Sequence, residues 1–214
     1  TPRLSSAASD VYKRQMWHFS RIKASDLLLL DVDDKSVLTS KNPPDATAWG
    51  LHGAIHKLCP HAKCIMHVHS IYATTLASLQ NCILPPINQV ASMFFNRQVV
   101  DKNYGGLAFE EEGKRCANLL SDPKKYTFIM GNHGILIFGQ NVAETFNRLF
   151  YFERAAKMYI KALQTGKKLS ILDDVVAEKT AQELESEEHP NPAGTAFLRE
   201  IKFILDQENS DYNH

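Results

Sequence analysis

The sequence predicts an α/β domain, because strand-like and helix-like patterns alternate along most of the chain. The stretch CIMHVHS, residues 64–70, is an apolar run of strand length, and SIYATTLASLQ after it has helical spacing. A second apolar stretch, YTFIMGNHGILIFGQ, is long enough for two strands around a glycine-flanked bend, and the longest helical pattern follows it. A chain of 214 residues can bury a core of its own, so one main domain is expected.

The earlier elements have signals of their own. SDLLLLDVDD predicts a short buried strand near Leu27 to Leu30, ended by a turn. ATAWGLHGAIHKLC has helical spacing at Leu51, Ile55 and Leu58, and Pro60 prevents the helix from continuing far. The paired prolines of LPPINQ exclude regular structure there, and EEEGKRCANLLSD predicts a further helix.

Helix ends are marked by capping residues. Ser70 is placed to cap the helix that follows the first apolar strand. Asn141 and Glu144 form a capping pair at the start of the longest helix, and Gly166 fits its end. Inside that helix a stripe of three-and-four spacing predicts core or subunit packing rather than a cofactor site. Its members are Phe146, Leu149, Phe150, Glu153 and Lys157.

Composition divides the chain into three parts. Residues 1–15 are polar, without periodicity and without the apolar core of a signal peptide, so we expect a non-native or disordered leader and a truncated native N-terminus. Residues 16–172 carry the strand and helix patterns and form the predicted domain. Residues 173–214 predict a helical, acidic tail that ends in the helix GTAFLREIKFILDQ.

Charge and cysteine content limit the classes of partner. Lys and Arg number 24, equal to Asp and Glu, so the basic face typical of nucleic-acid binding is not expected. No apolar run reaches the length of a membrane span, and a membrane partner is not expected either. The four cysteines lack CxxC spacing, which favours reduced thiols and a cytosolic protein.

Three histidines form a candidate metal site. His67 and His69 are two residues apart on a predicted strand, so they point to the same face. His133 lies between glycines in the bend between two strands, which brings its imidazole to the sheet edge. Three neutral imidazoles with one open position are the usual ligand set of catalytic zinc. The alternative is that each histidine satisfies backbone groups in a core.

A second histidine pair lies on the predicted helix before this strand. His52 and His56 are four residues apart and share one face. No glutamate follows His52, as a zinc hydrolase motif requires. We interpret this pair as helix-packing and hydrogen-bonding residues.

Four stretches together resemble the class II aldolase/adducin family: PPDATAWGLHGAIHKLCPHAKCIMHVHSIYATTLAS, LPPINQ, YGGLAF and IMGNHGILIFGQNVAETFNRLFYFERAAKMYIKAL. The resemblance runs in order from about residue 20 to 172. It implies a three-layer α/β fold with a central, mostly antiparallel sheet flanked by helices. It also implies one divalent metal ion, typically zinc, with iron or manganese as alternatives, and a homotetramer. The family's metal ligands correspond to His67, His69 and His133.

The sequence departs from the family's aldolases where their proton-transfer and phosphate groups stand. The position of the family's acid/base glutamate is Ala48, and the phosphate-binding serines are reduced to Thr47. The aldolase tyrosine aligns near Gln89, and the family's N-terminal Gly-Asn phosphate loop is absent. A sugar-phosphate aldolase is therefore not expected. We expect a substrate without a phosphate group instead.

The resemblance implies a divalent-metal-dependent lyase that cleaves or decarboxylates a small hydroxy acid or carbonyl compound. One alternative is a non-catalytic, adducin-like oligomeric domain that binds actin and spectrin in the cytoskeleton. Another is an iron-dependent oxygenase on the same fold. A third is that the missing carboxylate comes from elsewhere on the chain or from a neighbouring subunit.

The remaining site residues depend on this resemblance and on position in the chain. Tyr104 is the candidate acid/base, with Glu110 to Glu112 as an alternative that is more simply a helix-surface charge run. Trp49 and His52 follow the Ala48 position on one helix. The candidate substrate-binding residues are Thr47, Trp49, His52, Gln89 and Asn132.

Overall fold

A four-stranded sheet lies at the centre of one of the two units into which the chain divides. The computed structural model describes residues 9–12, 21–41, 43–105, 110–186, 194–208 and 211. The first unit comprises residues 1–60, 106–121 and 201–214, and the second comprises 61–105 and 122–200. The elements in chain order are β1 Ser9–Tyr12, β2 Leu28–Asp31, α1 Ala46–Leu58, β3 Cys64–Val68, α2 Ile71–Ala77, α3 Gln89–Ser92, β4 Gln98–Asp101, α4 Glu110–Leu119, β5 Thr127–Met130, β6 Gly134–Gly139, α5 Val142–Gln164, α6 Asp174–Glu185 and α7 Thr195–Gln207.

The sheet of the second unit has the strand order β3-β6-β5-β4. Strand β6 runs antiparallel to both β3 and β5, whereas β4 and β5 are parallel. Every residue of β5 and β6 is buried, which explains why these central strands are continuous apolar runs rather than alternating ones. Helices α2 and α5 pack on β6. The predicted α/β class, with a mostly antiparallel sheet flanked by helices, is confirmed.

Helix α5 begins and ends where its caps predict. The Asn141 side chain accepts a hydrogen bond from the Glu144 backbone amide at 2.9 Å. The Glu144 carboxylate accepts from the Gln140 amide at 2.6 Å, one residue earlier than a capping pair requires. Gly166 has a φ of +67°. This left-handed conformation commonly ends a helix, and glycine adopts it without the steric strain of a side chain.

In the first unit, helix packing depends on two glycines. A Cβ atom added to Gly113 of α4 would overlap the Gly50 carbonyl oxygen of α1, so the two helix backbones approach closely there. Strand β1 pairs antiparallel with β2, with Ser9 opposite Asp31. This strand lies within the stretch that the sequence predicts to be a leader.

The predicted tail contains two helices, α6 and α7, and α6 is bonded to the sheet of the second unit. Arg97, only 4% exposed, lies beside the start of β4. Its guanidinium donates to Glu178 at 2.6 Å and to both carboxylate oxygens of Glu185 at 2.9 and 3.0 Å.

All four cysteines are free thiols. Within the described ranges, the helices are too short or too polar to cross a lipid bilayer.

Candidate metal centre

The first histidine of the candidate site, His67, is held by the sheet. It lies on β3 opposite Leu136 of β6. Its Nδ1 atom is 2.9 Å from the Ile135 carbonyl oxygen, a contact in which the ring N–H donates. Because this bond places the proton on Nδ1, the lone pair of Nε2 faces away from the strand and is available as a ligand.

The second histidine, His69, lies one residue beyond the end of β3 and is exposed. Its Nε2 atom nevertheless approaches Nε2 of His67 at 2.9 Å. The two rings meet edge to face, with centroids 4.7 Å apart. The pair therefore converges through its Nε2 atoms although only one member belongs to the strand.

The third histidine, His133, is presented by a tight turn between β5 and β6. Its amide donates to the Met130 carbonyl at 3.1 Å, and Asn132 takes the left-handed conformation with a φ of +56°. The Asn132 amide donates to Ala77 at the end of α2, at 3.0 Å. A Gly131 amide bond to Asp101 of β4, at 2.8 Å, fixes the other side of the turn.

The three Nε2 atoms form a nearly equilateral triangle. The separations are 2.9 Å between His67 and His69, 3.1 Å between His69 and His133, and 3.2 Å between His133 and His67. Tetrahedral zinc with Zn–N bonds of 2.0–2.1 Å separates its nitrogen ligands by roughly 3.3 Å. The ligand set therefore fits a divalent ion of this size, and the exposed side of His69 leaves an open position.

Electrostatics also favour the ligand form of His133. Burial lowers the pKa of His133, and the neighbouring charge of His69 lowers it further. Because a neutral imidazole is the form that binds metals, the shift keeps a ligand available at neutral pH.

Gly134 leaves the space in which two of the rings meet. A Cβ atom added there would lie 2.7 Å from Cδ2 of His69 and 2.7 Å from the Val68 carbonyl oxygen. It would also lie 3.5 Å from Cε1 of His67. The glycine after His133 is therefore part of the site, because any side chain would displace His69 or the end of β3.

Tyr104 is the predicted site residue that the structure places beside the triad. Its ring packs on His133 with the centroids 4.7 Å apart at a 43° angle. Asn132 is exposed and serves the turn through its left-handed backbone. A phenol thus lies next to one ligand, and the neighbouring asparagine shapes the loop.

A carboxylate that the helical spacing predicts to be a packing residue is bonded to Ser70, the residue after His69. Ser70 stands at the N-cap of α2, but its side chain makes no capping bond to that helix. Its hydroxyl instead donates to Glu153 of α5 at 2.8 Å. Glu153 also accepts from the backbone amides of Tyr72 and Ala73, at 3.0 and 2.8 Å. Ser70 stands at the predicted N-cap position, but the capping bonds come from Glu153, an acidic residue within the apolar stripe of α5.

Other predicted site residues belong to the first unit. Thr47, Trp49 and His52 belong to α1 in the first unit. The Thr47 hydroxyl donates to Asp45, the N-cap of that helix. Trp49 is buried and lines an apolar cavity of about 450 Å³ within the first unit.

Gln89 lines a cavity, and the acidic residues Glu110 and Glu112 form ion pairs. Gln89, at the start of α3, lines a cavity of about 420 Å³ bounded by α5 and α6. Glu110 is exposed and paired with Lys35 at 2.6 Å. Glu112 pairs with Arg115 at 2.6 Å on the same helix. These pairs are typical of a helix-surface charge run.

The His52 and His56 pair occupies one face of α1. In the part of the chain that the structure describes, no group of three or more metal-ligating side chains includes them. The triad of His67, His69 and His133 is such a group, and it lies within the second unit.

Comparison with known families gives this geometry a context. The family model described as Class II Aldolase and Adducin N-terminal domain matches residues 8–160. The chain belongs to this family. The resemblance seen in its sequence motifs is thereby confirmed.

Three relatives of this chain are an oxygenase/synthase, a decarboxylase and an adducin. The 4-hydroxy-3-prenylphenylpyruvate oxygenase/4-hydroxy-3-prenylbenzoate synthase of Streptomyces roseochromogenus is 28% identical over 58% of this chain. Decarboxylase NovR of Streptomyces niveus is 27% identical over 58% of the chain. Human gamma-adducin is 26% identical over 69% of it. The chain spans 44%, 45% and 20% of the lengths of these relatives.

Solved structures of the family share the fold. An aldolase II superfamily protein from Pseudomonas syringae superposes with a TM-score of 0.83, at 22% identity, over 98% of this chain and 82% of that one. L-fuculose 1-phosphate aldolase from Glaciozyma antarctica PI12 superposes with a TM-score of 0.72, at 20% identity, over 90% and 73%. At these identities the likeness establishes the class II aldolase fold.

Proposed function

We propose that the protein is a divalent-metal-dependent lyase that acts on a carbon–carbon bond of a small, unphosphorylated hydroxy acid or carbonyl compound. The reaction is aldol cleavage or decarboxylation. The observation that carries this proposal is the convergence of three imidazole Nε2 atoms within 2.9–3.2 Å beside an exposed opening. A histidine cluster with an open side is the arrangement of catalytic rather than structural metal sites.

The choice of an unphosphorylated substrate rests on the first turn of α1. Ala48 occupies the position of the family's acid/base glutamate and has no proton to exchange. The Thr47 hydroxyl is already bonded to Asp45, so its hydrogen is not offered to a substrate phosphate. Membership of the family, which includes a decarboxylase relative, supports a lyase whose substrate differs from the sugar phosphates.

The triad residues have separate tasks in this proposal. The three Nε2 atoms would hold a divalent ion, which would supply a Lewis acid for a substrate oxygen. The His67 Nδ1–H bond to Ile135 holds the imidazole tautomer that presents Nε2. The Tyr104 hydroxyl, on the ring that packs against His133, is the group that we propose to donate or accept the substrate proton.

Zinc is the proposed metal, with iron or manganese as alternatives, since histidine nitrogens bind several first-row ions. We also propose a homotetramer, as the sequence resemblance implies, and a cytosolic protein, which the four free thiols support. A tetramer would have about four times the 24.1 kDa mass of the chain, which light scattering measures directly.

Two other functions have specific support. The relation to gamma-adducin and the alanine at position 48 favour an oligomeric binding domain for actin and spectrin. The Streptomyces oxygenase relative favours an iron-dependent oxygenase that uses the same three histidines. Both differ from the lyase in measurable ways.

Metal content is the first test. Purified protein should contain about one zinc, iron or manganese ion per chain by mass spectrometry. The double variant His67→Ala, His133→Ala should contain none, whereas His56→Ala, a histidine on α1, should keep the wild-type content. Folded wild-type protein that takes up no metal would overturn the enzyme proposal and favour the binding domain.

Function is tested with the same variants. A panel of hydroxy acids and β-hydroxy carbonyl compounds should show carbon dioxide release or aldol cleavage that His67→Ala abolishes without loss of folding. Oxygen consumption that depends on added iron would identify the oxygenase instead. Co-sedimentation with actin filaments that is equal in wild type and His67→Ala, with no turnover of the panel, would identify the binding domain.

A further inference from the structure

His69 is the ligand with the least support from its own strand. His67 lies within the β3–β6 pairing and has a second bond from Nδ1, but His69 follows the last residue of β3. Within the part of the chain that the structure describes, its Nδ1 atom has no hydrogen-bond partner. The backbone that leads into α2 must therefore determine where the His69 ring stands.

That backbone is bonded to a distant glutamate. Glu153 lies on α5 between Phe152 and Ala155, both fully buried, so its helix is anchored in the core. One carboxylate oxygen accepts from the Ser70 hydroxyl and from the Ala73 amide, both at 2.8 Å. The other accepts from the Tyr72 amide at 3.0 Å. Three donors in four consecutive residues are thus satisfied by one side chain from another helix.

We propose that Glu153 is a positioning residue for the metal centre, because its carboxylate fixes the Ser70 hinge and the first turn of α2, and thereby the orientation of His69. The inference rests on the proposed function only in taking the triad as the metal site. Glu153 does not touch the metal ligands, the substrate or the reacting atoms in this role. It acts through the one residue, Ser70, that links His69 to the helix.

The charge of Glu153 matters as well as its reach. The free amides at a helix start carry partial positive charge, so a carboxylate satisfies them better than a neutral group does. In Glu153→Gln the side-chain NH₂ group would face backbone N–H donors, and at least one of the three bonds would be lost. The start of α2 would then shift or fray, and His69 with it.

The experiment compares two carboxylate-to-amide changes at helix starts. In Glu153→Gln the zinc dissociation constant, measured by competition with a chromophoric chelator, should rise by roughly tenfold, the lower end for groups that orient a ligand. Asp173→Asn is the matched control. Its side chain accepts from the Val176 amide at the start of α6, and it should leave the zinc affinity within about twofold of wild type.

A second readout needs no metal. Because an added Cβ on Gly134 would lie 2.7 Å from Cδ2 of His69, the ring Hδ2 and the Gly134 Hα protons should give a strong nuclear Overhauser effect in metal-free wild type. Glu153→Gln should weaken that signal, and Asp173→Asn should not. Ser70→Ala removes one bond only, so it should weaken zinc binding less, by roughly threefold, and it carries the test if Glu153→Gln does not fold.

The outcomes separate this inference from the proposed function. Wild-type protein without zinc binding contradicts the function, and the proton signal alone then decides the role of Glu153. Wild-type zinc binding with an unchanged affinity in Glu153→Gln overturns the positioning role and leaves a purely structural cap. Weaker zinc binding with an unchanged His69–Gly134 signal also overturns it, because the ring has then not moved.

Discussion

Two strand-to-helix connections in the second unit differ in which side chain accepts hydrogen bonds from the first amides of the helix. Where β6 leads into α5, Asn141 stands directly before the helix and accepts from the Glu144 amide, three residues on. Where β3 leads into α2, the first amides are bonded instead by Glu153, 80 to 83 residues later in the chain. The local cap joins two structural elements, whereas the distant cap adjoins a candidate metal ligand.

The difference shows where long-range contacts are needed. A local cap such as Asn141 stabilises its own helix whatever the rest of the chain does. A cap supplied by α5 forms only once the two helices have packed. The start of α2, and His69 before it, are therefore set by tertiary structure, which suits a site assembled from two separate segments of chain.

The largest expected effect comes from a side chain at the first residue of β6. In Gly134→Ala the new Cβ would lie 2.7 Å from a ring carbon of His69 and from the Val68 carbonyl oxygen, so the end of β3 must move. We expect the free energy of unfolding to fall by about 3 kcal/mol. We expect zinc affinity to fall roughly 100-fold. Urea unfolding and chelator competition measure the two effects.

The matched control is the glycine at the other end of the same strand. A Cβ on Gly139 would lie 2.9 Å from the side-chain oxygens of Glu144 and Thr145, at the connection with the local cap. Side-chain tips can shift, so Gly139→Ala should cost only about 1 kcal/mol and keep wild-type zinc affinity. Equal loss of zinc binding in both variants would show that the triad responds to the strand as a whole rather than to the space at Gly134.

A smaller effect is expected at the local cap. Asn141→Ala removes the acceptor of the Glu144 amide, and the free energy of unfolding should fall by about 1 kcal/mol. Zinc affinity should not change, because neither residue bonds the segment that carries His69. Asn141→Asp keeps an acceptor at the same position and should retain wild-type stability. Weaker zinc binding in Asn141→Ala would remove the distinction between the two connections.

The same contrast explains how much could be predicted from the sequence. The Asn141 cap and the buried strands β5 and β6 depend on residues close together in the chain, and each was predicted correctly. Ser70 is the N-cap residue as predicted, but its hydroxyl is bonded to Glu153 rather than to its own helix, and local spacing does not identify a partner 83 residues away. The attachment of α6 depends on Arg97, which is 81 and 88 residues from its two glutamate partners.

The candidate site follows the same rule. Chain spacing made three histidines candidates, the family resemblance favoured them as ligands, and the structure brings their Nε2 atoms together. The spacing did not reveal that His69 stands beyond the strand or that Gly134 leaves room for its ring. Both depend on the register of β3 against β6, in which His67 faces Leu136, and register is a property of the folded sheet.

The smallest expected effect concerns a second long-range carboxylate contact, between Glu178 of α6 and Arg97. The Arg97 hydrogen bond lowers the pKa of Glu178 to about 2, below its ordinary value of 4.5. The unfolded chain therefore binds the proton more readily, so this contribution to stability is complete above about pH 4.5 and is lost as the pH falls towards 2. Glu178→Gln should make the free energy of unfolding less dependent on pH in that window.

The control for this change is Glu183→Gln on the same helix. Its carboxylate is 67% exposed and lies 3.7 Å from Lys179, so the change removes the same charge without touching the buried guanidinium. Urea unfolding of wild type and both variants between pH 2 and pH 6 measures how steeply the free energy of unfolding depends on pH in each protein. A flatter slope in Glu178→Gln alone would mean that the distant contact holds α6, as Glu153 is inferred to hold α2. Equal slopes in all three proteins would mean that solvent screens the Arg97 pair and that this contact does not hold α6.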